Sequence, residues 1–148
     1  MMDLSNMMLL AFEGHKDQVD RGGEKYIKHP LAVMEMVRNV FGNDQELLMI
    51  ALGHDLLEDS HFSMEDLYEH GFSERVVLGI LSLTKVDGQS YEEYKEQVKS
   101  NQDAMKVKIF DLEHNSDLSR LKKVSDKDLE RREKYQQFRK ELLEELFK

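Results

Sequence analysis

The 148-residue chain contains no cysteine, which removes disulfide scaffolds, thiolate zinc sites and cysteine nucleophiles from consideration. Proline occurs once, and no Pro/Gly/Ser-rich linker, internal repeat or low-complexity tract marks a domain boundary. Long apolar runs are missing as well. The longest, Met7–Phe12, Leu47–Leu52 and Val76–Leu83, fall far short of the roughly 18 residues that span a bilayer. No basic stretch followed by a hydrophobic segment opens the chain, so a secretory leader is not expected and a cytoplasmic protein is. Basic residues are scarce, 21 Lys and Arg against 30 Asp and Glu, for a net charge of −9. A surface of that sign repels nucleic acid and anionic membranes. It leaves room for a small phosphorylated ligand, because a bound divalent metal can dominate the local field.

What is present is an ordinary globular composition, 40% hydrophobic and 34% charged. A chain of this length is expected to form one domain, residues 1–148, able to bury roughly 70% of the surface that its unfolded form exposes. Apolar residues recur at helical spacing between the breakers Gly22-Gly23, Gly42, Gly71 and Asp87-Gly88. The pattern predicts a first helix from Leu4 to about Gln18, with Met7, Met8, Ala11 and Phe12 inward. A second runs from Pro30 to about Phe41, with Leu31, Met34, Val37 and Val40 inward. Asp44 caps a third, which ends near His54–Asp59. Ser63 with Asp66 reads as a capping box for a short helix stopped by Gly71. Ser73 caps Glu74–Leu83, and Ser90 caps Tyr91–Ser100. A helix from Asp103 to about Leu118 turns Met105, Val107, Ile109 and Leu112 inward. Ser125 and Asp128 open a last, charge-rich helix, Asp126–Phe147. No segment alternates like a strand, and the expected class is all-α.

Ionisable residues cluster at three places. His54-Asp55 closes an apolar run, where a buried pair is costly without partners, and Glu58 and Asp59 follow one turn later. The spacing fits both a polar site and a helix end fraying into acidic solvent. His29 precedes the single proline, where a histidine serves as a turn residue or as a ligand. Lys108, Asp111 and Asn115 share one helix face with His114. Asp111 interrupts the apolar stretch Val107–Leu112, so facing inward it needs an ion partner or a metal. The alternative is an exposed, ion-paired face.

Taken together, these segments resemble the HD-domain alarmone hydrolases of the Rel/Spo type. His15-Lys16-Asp17-Gln18-Val19-Asp20-Arg21-Gly22-Gly23-Glu24-Lys25-Tyr26-Ile27-Lys28-His29-Pro30 is similar to the opening motif of that family. Ala51-Leu52-Gly53-His54-Asp55-Leu56-Leu57-Glu58-Asp59-Ser60 looks like its His-Asp-x-x-Glu-Asp helix. Val107-Lys108-Ile109-Phe110-Asp111-Leu112-Glu113-His114-Asn115 is similar to its Val-Lys-x-x-Asp-x-x-x-Asn helix. The resemblance implies an all-α HD-domain bundle with His29, His54, Asp55 and Asp111 as metal ligands. A mixed imidazole and carboxylate set suits Mn²⁺ or another divalent transition metal. It further implies that Glu58 and Asp59 handle the attacking water in hydrolysis of the 3′-pyrophosphate of ppGpp or pppGpp. Arg21, Lys25 and Lys108 are then candidates to neutralise phosphates, and Asn115 to bond the ribose or a phosphate oxygen. Tyr91 and Tyr94 read as core packing, with closure of the pocket over the sugar or base as the alternative.

Departures from the family pattern fall outside the metal and water-handling positions. Asp20-Arg21 stands for the usual basic pair, Lys25 replaces a proline, and Asp117 and Leu118 follow Asn115 where the family has Arg and Thr. With no synthetase or regulatory domain in the sequence, a stand-alone hydrolase acting on a small-molecule nucleotide is expected. Asp20 and Leu118 keep open an HD phosphohydrolase acting on another nucleotide or phosphate ester. A non-catalytic nucleotide-binding protein is the third possibility.

Overall fold

A computed structural model describes residues 2–148; residue 1 of the expected domain lies outside the described residues. Among these, nine helices follow one another: α1 (Leu4–His15), α2 (Lys28–Phe41), α3 (Gln45–Gly53), α4 (Leu56–Asp59), α5 (Met64–Glu69), α6 (Glu74–Ser82), α7 (Tyr91–Lys99), α8 (Gln102–Asn115) and α9 (Asp126–Leu146). Extended pairing among the described residues is limited to one antiparallel bridge, Val19 with Lys25. The all-α bundle expected from the sequence is what forms. Among the described residues, no helix is long and apolar enough to cross a membrane.

Side-chain caps fix most helix starts by accepting from otherwise orphaned backbone N–H groups. Asp3, Ser63, Ser90 and Ser125 close capping boxes, while Asp44 and Ser73 each accept one bond. The ends of α6, α7 and α9 fall one residue short of expectation, and three helices differ by more. α1 stops at His15 rather than Gln18. α8 covers Gln102–Asn115 rather than Asp103–Leu118, because the Asn101 side chain accepts from Ala104 N at 2.9 Å and starts it earlier. α2 begins at Lys28, which leaves Pro30 in the first turn, where its missing N–H still costs nothing.

Two inward stripes also shift. Phe12 and Val40 are 45% and 60% exposed, and Leu10 and Val33 enter the core instead. On α1 the small residues decide: Met7, Leu10, Ala11 and Gly14 form one helical stripe, and Gly14 lies against Leu56 and Ser60. Turning Phe12 inward would force α1 away from α4.

α3 is the axis of the bundle. Every residue from Leu47 to Gly53 is buried, as expected of a helix that is apolar all round, and α1, α2, α6 and α8 pack on it. The α6 approach needs a glycine, since a Cβ at Gly79 would stand 2.5 Å from Ile50 Cδ1. The charge-rich α9 lies on α8, held by its two buried residues, Phe138 and Leu142, and by Lys95 and Lys99 of α7 paired with Glu141.

Candidate metal centre

The third helix does not run on to Asp59. It breaks after Gly53: His54 caps the end of α3, Asp55 caps the start of α4, and both residues adopt helical backbone angles without continuing the ladder. Neighbouring residues of an unbroken helix do not face one another. Here the break brings His54 Nε2 within 3.1 Å of Asp55 Oδ2.

Three helices then converge. The first turn of α2 delivers His29, the α3–α4 break delivers His54 and Asp55, and the inward face of α8 delivers Asp111. Asp111 Oδ1 lies 2.8 Å from His29 Nε2 and 3.1 Å from His54 Nε2, and Asp55 Oδ2 is 3.8 Å from His29 Nε2. All four are buried or nearly so. Both imidazoles are oriented from behind. His54 Nδ1–H donates to Ala51 O at 2.6 Å, which turns Nε2 toward the carboxylates. His29 Nδ1 lies 2.7 Å from His114 Nδ1, and the two rings stack. Burial, with His29 and Arg120 nearby, pushes His114 down to about 4, so it is neutral at pH 7 and can accept the His29 Nδ1–H. Imidazole–partner bonds of this kind fix the tautomer of a metal-ligating histidine. Tyr26 donates to Asp55 Oδ2 at 2.5 Å, and Asn115 Nδ2 donates to Asp111 Oδ1 at 3.1 Å.

The electrostatics are those of a buried cluster whose opposite charges sustain one another. Burial alone would raise Asp111, yet Lys108, His54 and His29 hold it well below the usual carboxylate range. Burial alone would lower His54, and Asp55 and Asp111 hold it well above the ordinary imidazole value. The Nε2 lone pair that takes a proton there is equally open to a metal, which competes with protons for such ligands. The donor set, two imidazoles and two carboxylates with no thiolate, fits a divalent transition metal. His29, His54 and Asp111 place their ligand atoms within 4.8 Å of one another.

Glu58 and Asp59 stand beside this group, their carboxylate oxygens within 4.8 Å of each other and of Asp55. Both residues are exposed overall. Even so, partial withdrawal from water raises the Glu58 carboxyl, against a 2.6 Å bond accepted from Lys85 N. Withdrawal and the charge of Asp55 raise Asp59.

The four residues expected to contact substrate are placed differently. Asn115 and Arg21 line a cleft of about 270 Å³, bounded by the α1–α2 loop, the α8–α9 loop and α9. Lys108 is turned inward, because its i,i+3 spacing to Asp111 gives Nζ a 2.8 Å bond to Asp111 Oδ2, with Nζ also over the Tyr94 ring. Lys25 is exposed, outside the cleft lining. Tyr94 packs in the core, donating to Leu83 O at 2.9 Å, and Tyr91 packs edge-on to Phe138. Sequence reasoning did not single out Arg120, Arg131, Arg132 or Tyr135, which the fold brings into the cleft. Tyr26 and Asn115 belong both to the cleft and to the metal-type cluster, so the two are contiguous. The loops meet closely: a Cβ at Gly22 would stand 2.5 Å from the Arg120 carbonyl oxygen.

A solved structure, that of a metazoan SpoT ortholog described as hydrolysing ppGpp, superposes with a TM-score of 0.75 over 97% of this chain and 84% of its own, at 24% identity. The chain is 33% identical over 98 residues to the bifunctional (p)ppGpp synthase/hydrolase SpoT of Escherichia coli, an alignment covering 66% of this chain and 14% of that protein. The chain is thus similar to the hydrolase region of Rel/Spo-type proteins. It is also 38% identical over 82 residues to a guanosine-3′,5′-bis(diphosphate) 3′-pyrophosphohydrolase of Aquifex aeolicus, covering 55% of this chain and 12% of the relative. A GTP pyrophosphokinase of Streptomyces coelicolor matches at 37% over 78 residues, 53% of this chain and 9% of its own length. The chain thus spans only 9% to 14% of the length of these three relatives. No family model matches the chain.

Proposed function

We propose that this chain, as one HD domain, hydrolyses the 3′-pyrophosphate of ppGpp, pppGpp or a closely related nucleotide, with Mn²⁺ held by His29, His54, Asp55 and Asp111. The convergence of those four side chains from three helices carries the reading, and the (p)ppGpp hydrolases among the relatives supply the substrate class. When bound, the metal supplies Lewis acidity toward a phosphoryl oxygen and toward water. The chain's own residues do the rest. Glu58, its carboxyl raised above the usual range, takes the proton of the attacking water, and Asp59 orients that water. The bond between the 3′-oxygen and its phosphorus breaks, pyrophosphate leaves, and the 3′-oxygen takes a proton. Asn115, tied to Asp111 and open to the cleft, orients the ribose or a phosphate oxygen beside the metal. Lys108 keeps Asp111 ionised rather than meeting a phosphate directly.

Pyrophosphate release from a panel of 3′-pyrophosphorylated nucleotides with added Mn²⁺ tests the reading. Cleavage is expected with guanosine and adenosine forms handled alike, since the departures lie at recognition positions. Cleavage confined to simple phosphate monoesters would favour the second reading, an HD phosphohydrolase of another substrate. The observation that supports this alternative is Asp20 and Asp117 in the cleft lining, at positions where the resembling family is basic.

A further inference from the structure

The cleft beside the metal-type cluster holds four guanidiniums and three carboxylates, and most of that charge is already spent internally. Arg21 pairs with Asp128 at 2.9 Å and Arg131 with the same carboxylate at 3.3 Å. Arg120 pairs with Asp20 at 3.1 Å. These carboxylates are fixtures: Asp20 Oδ1 also accepts from Gly22 N and Glu24 N, Asp128 closes the α9 capping box, and their side chains are only 14% and 13% exposed. Asp117 adds a further negative charge, its carboxyl held low by hydrogen bonds from Ser119. Arg132 differs from the other three. It lies on the same α9 face as Asp128 and Tyr135, it lines the cleft, and no carboxylate is within ion-pair distance of it among the described residues.

We propose that Arg132 is the specificity-determining residue of this cleft, taking the single phosphate at the 5′ end of the nucleotide, so that among the 3′-pyrophosphorylated nucleotides the closely related 5′-monophosphate form is bound in preference to ppGpp and pppGpp, which carry two and three 5′-phosphates. This rests on reading the neighbouring cluster as the 3′-pyrophosphate site, which directs the opposite end of the nucleotide past Tyr26 and Asn115 into the cleft. One unpaired guanidinium gives one charge-assisted, forked phosphate contact. A second or third phosphate would have to face Asp20, Asp117 or Asp128, or break a pair and strand its carboxylate beside the incoming anion. The volume of about 270 Å³ agrees, falling just below the range of small-molecule pockets, roughly 300 to 1,000 Å³.

Calorimetric titration of the full chain in the presence of chelator, with guanosine and its 5′-mono-, di- and triphosphates as probes, tests the cleft apart from turnover. The monophosphate should bind tightest, and each added phosphate should weaken binding severalfold. Arg132→Gln should weaken the monophosphate by roughly tenfold, the scale of one charged hydrogen-bond pair, and leave guanosine unchanged. Arg132→Lys should fall between the two, and Asp20→Asn, by freeing Arg120, should narrow the preference for the monophosphate over the diphosphate. Triphosphate binding as tight as monophosphate, equal losses for guanosine and its monophosphate in Arg132→Gln, or no binding of any probe would each overturn the proposal. Failure to release pyrophosphate from 3′-pyrophosphates with Mn²⁺ would instead remove the hydrolase reading, so the two can fail separately.

Discussion

Under α2, α3 and α8, two carboxylates face two imidazoles and an ammonium almost out of reach of water. In the contiguous cleft, four guanidiniums face three carboxylates at the surface. Both regions gather opposite charges, yet the same contacts have different weight. In the buried cluster each group exists in its ionisation state because of the others: Asp111 is held low by Lys108, His54 and His29. Removing one member leaves the rest uncompensated in a poorly solvated place, a loss of about 3–5 kcal/mol for a buried pair. In the cleft the carboxylates are fixtures but the guanidiniums reach solvent, which stands in for a lost arginine, and pairs of that kind contribute about 0–1 kcal/mol. The cluster is therefore where function and stability are coupled, and the arginines of the cleft are where specificity can change at little cost to the fold.

The sharpest way to break that contrast is Asp111→Ala. It removes a candidate ligand and strands Lys108, so bound divalent metal should be lost, turnover should vanish, and the denaturant midpoint should report a loss on the order of 3–5 kcal/mol. His54→Ala should lose the metal as well. Metal content unchanged in both variants, by elemental analysis of purified protein, would rule out the ligand assignment.

Glu58→Gln comes next, and it tests chemistry without disturbing the cluster. Shape is preserved while the proton-accepting capacity goes, so single-turnover rates should drop by about 10²–10⁴ with metal content unchanged. Asp59→Asn should behave in the same direction. If the pair were only an acidic surface, stability would move by a few tenths of a kcal/mol and the rate would stay near wild type.

A smaller effect is expected on removing the metal from the intact chain. Ligand that binds only the folded state adds about 2.7 kcal/mol at a hundredfold excess over Kd. Chelation should therefore lower the melting temperature by roughly 5–10 °C for a domain of this size, reversibly on adding Mn²⁺. A melting temperature indifferent to both treatments would mean that the cluster is stabilised by its own ion pairs alone.

The two regions also differ in how much of them the sequence disclosed. The residues of the metal-type cluster stood out chiefly through the resemblance of three segments to one family, since the spacing by itself fitted a fraying acidic helix end as well, and only Asp111, interrupting an apolar run, called for a partner on its own. The break at Gly53 was not legible. An uninterrupted helix to Asp59 satisfies the same hydrophobic pattern, and the packing that favours two short helices is visible only in three dimensions. His114 sat on the right face, but its stacking on His29 depends on the α2–α8 approach. The cleft was largely hidden. Arg131, Arg132 and Tyr135 belong to a helix whose periodicity reads as a solvated charged surface, and which two buried residues, Phe138 and Leu142, suffice to dock. Asp20 stood out as a departure from a basic pair, whereas its partner Arg120 lies 100 residues away and no local pattern links them.

Lys25 gives the finest test, because the expected effect is close to none. Its position in the opening motif makes it a candidate phosphate contact, while the fold leaves it exposed and outside the cleft lining. What residue 25 contributes structurally is backbone: it pairs with Val19 across the α1–α2 loop, and its carbonyl accepts from Lys28 N at 3.2 Å. Neither contact needs the ammonium. Lys25→Ala should thus keep the loop, change stability by no more than about 0.5 kcal/mol, and leave KM for a 3′-pyrophosphorylated nucleotide within roughly twofold, the kinetic equivalent of that energy. Arg132→Gln, measured alongside on a substrate with a 5′-monophosphate, should raise KM several times more, although both substitutions delete one positive charge and alter the net charge equally. A matching rise in KM for Lys25→Ala would mean that charge anywhere on this face attracts the nucleotide, and the contrast between an internally neutralised cleft and its one unpaired guanidinium would not survive.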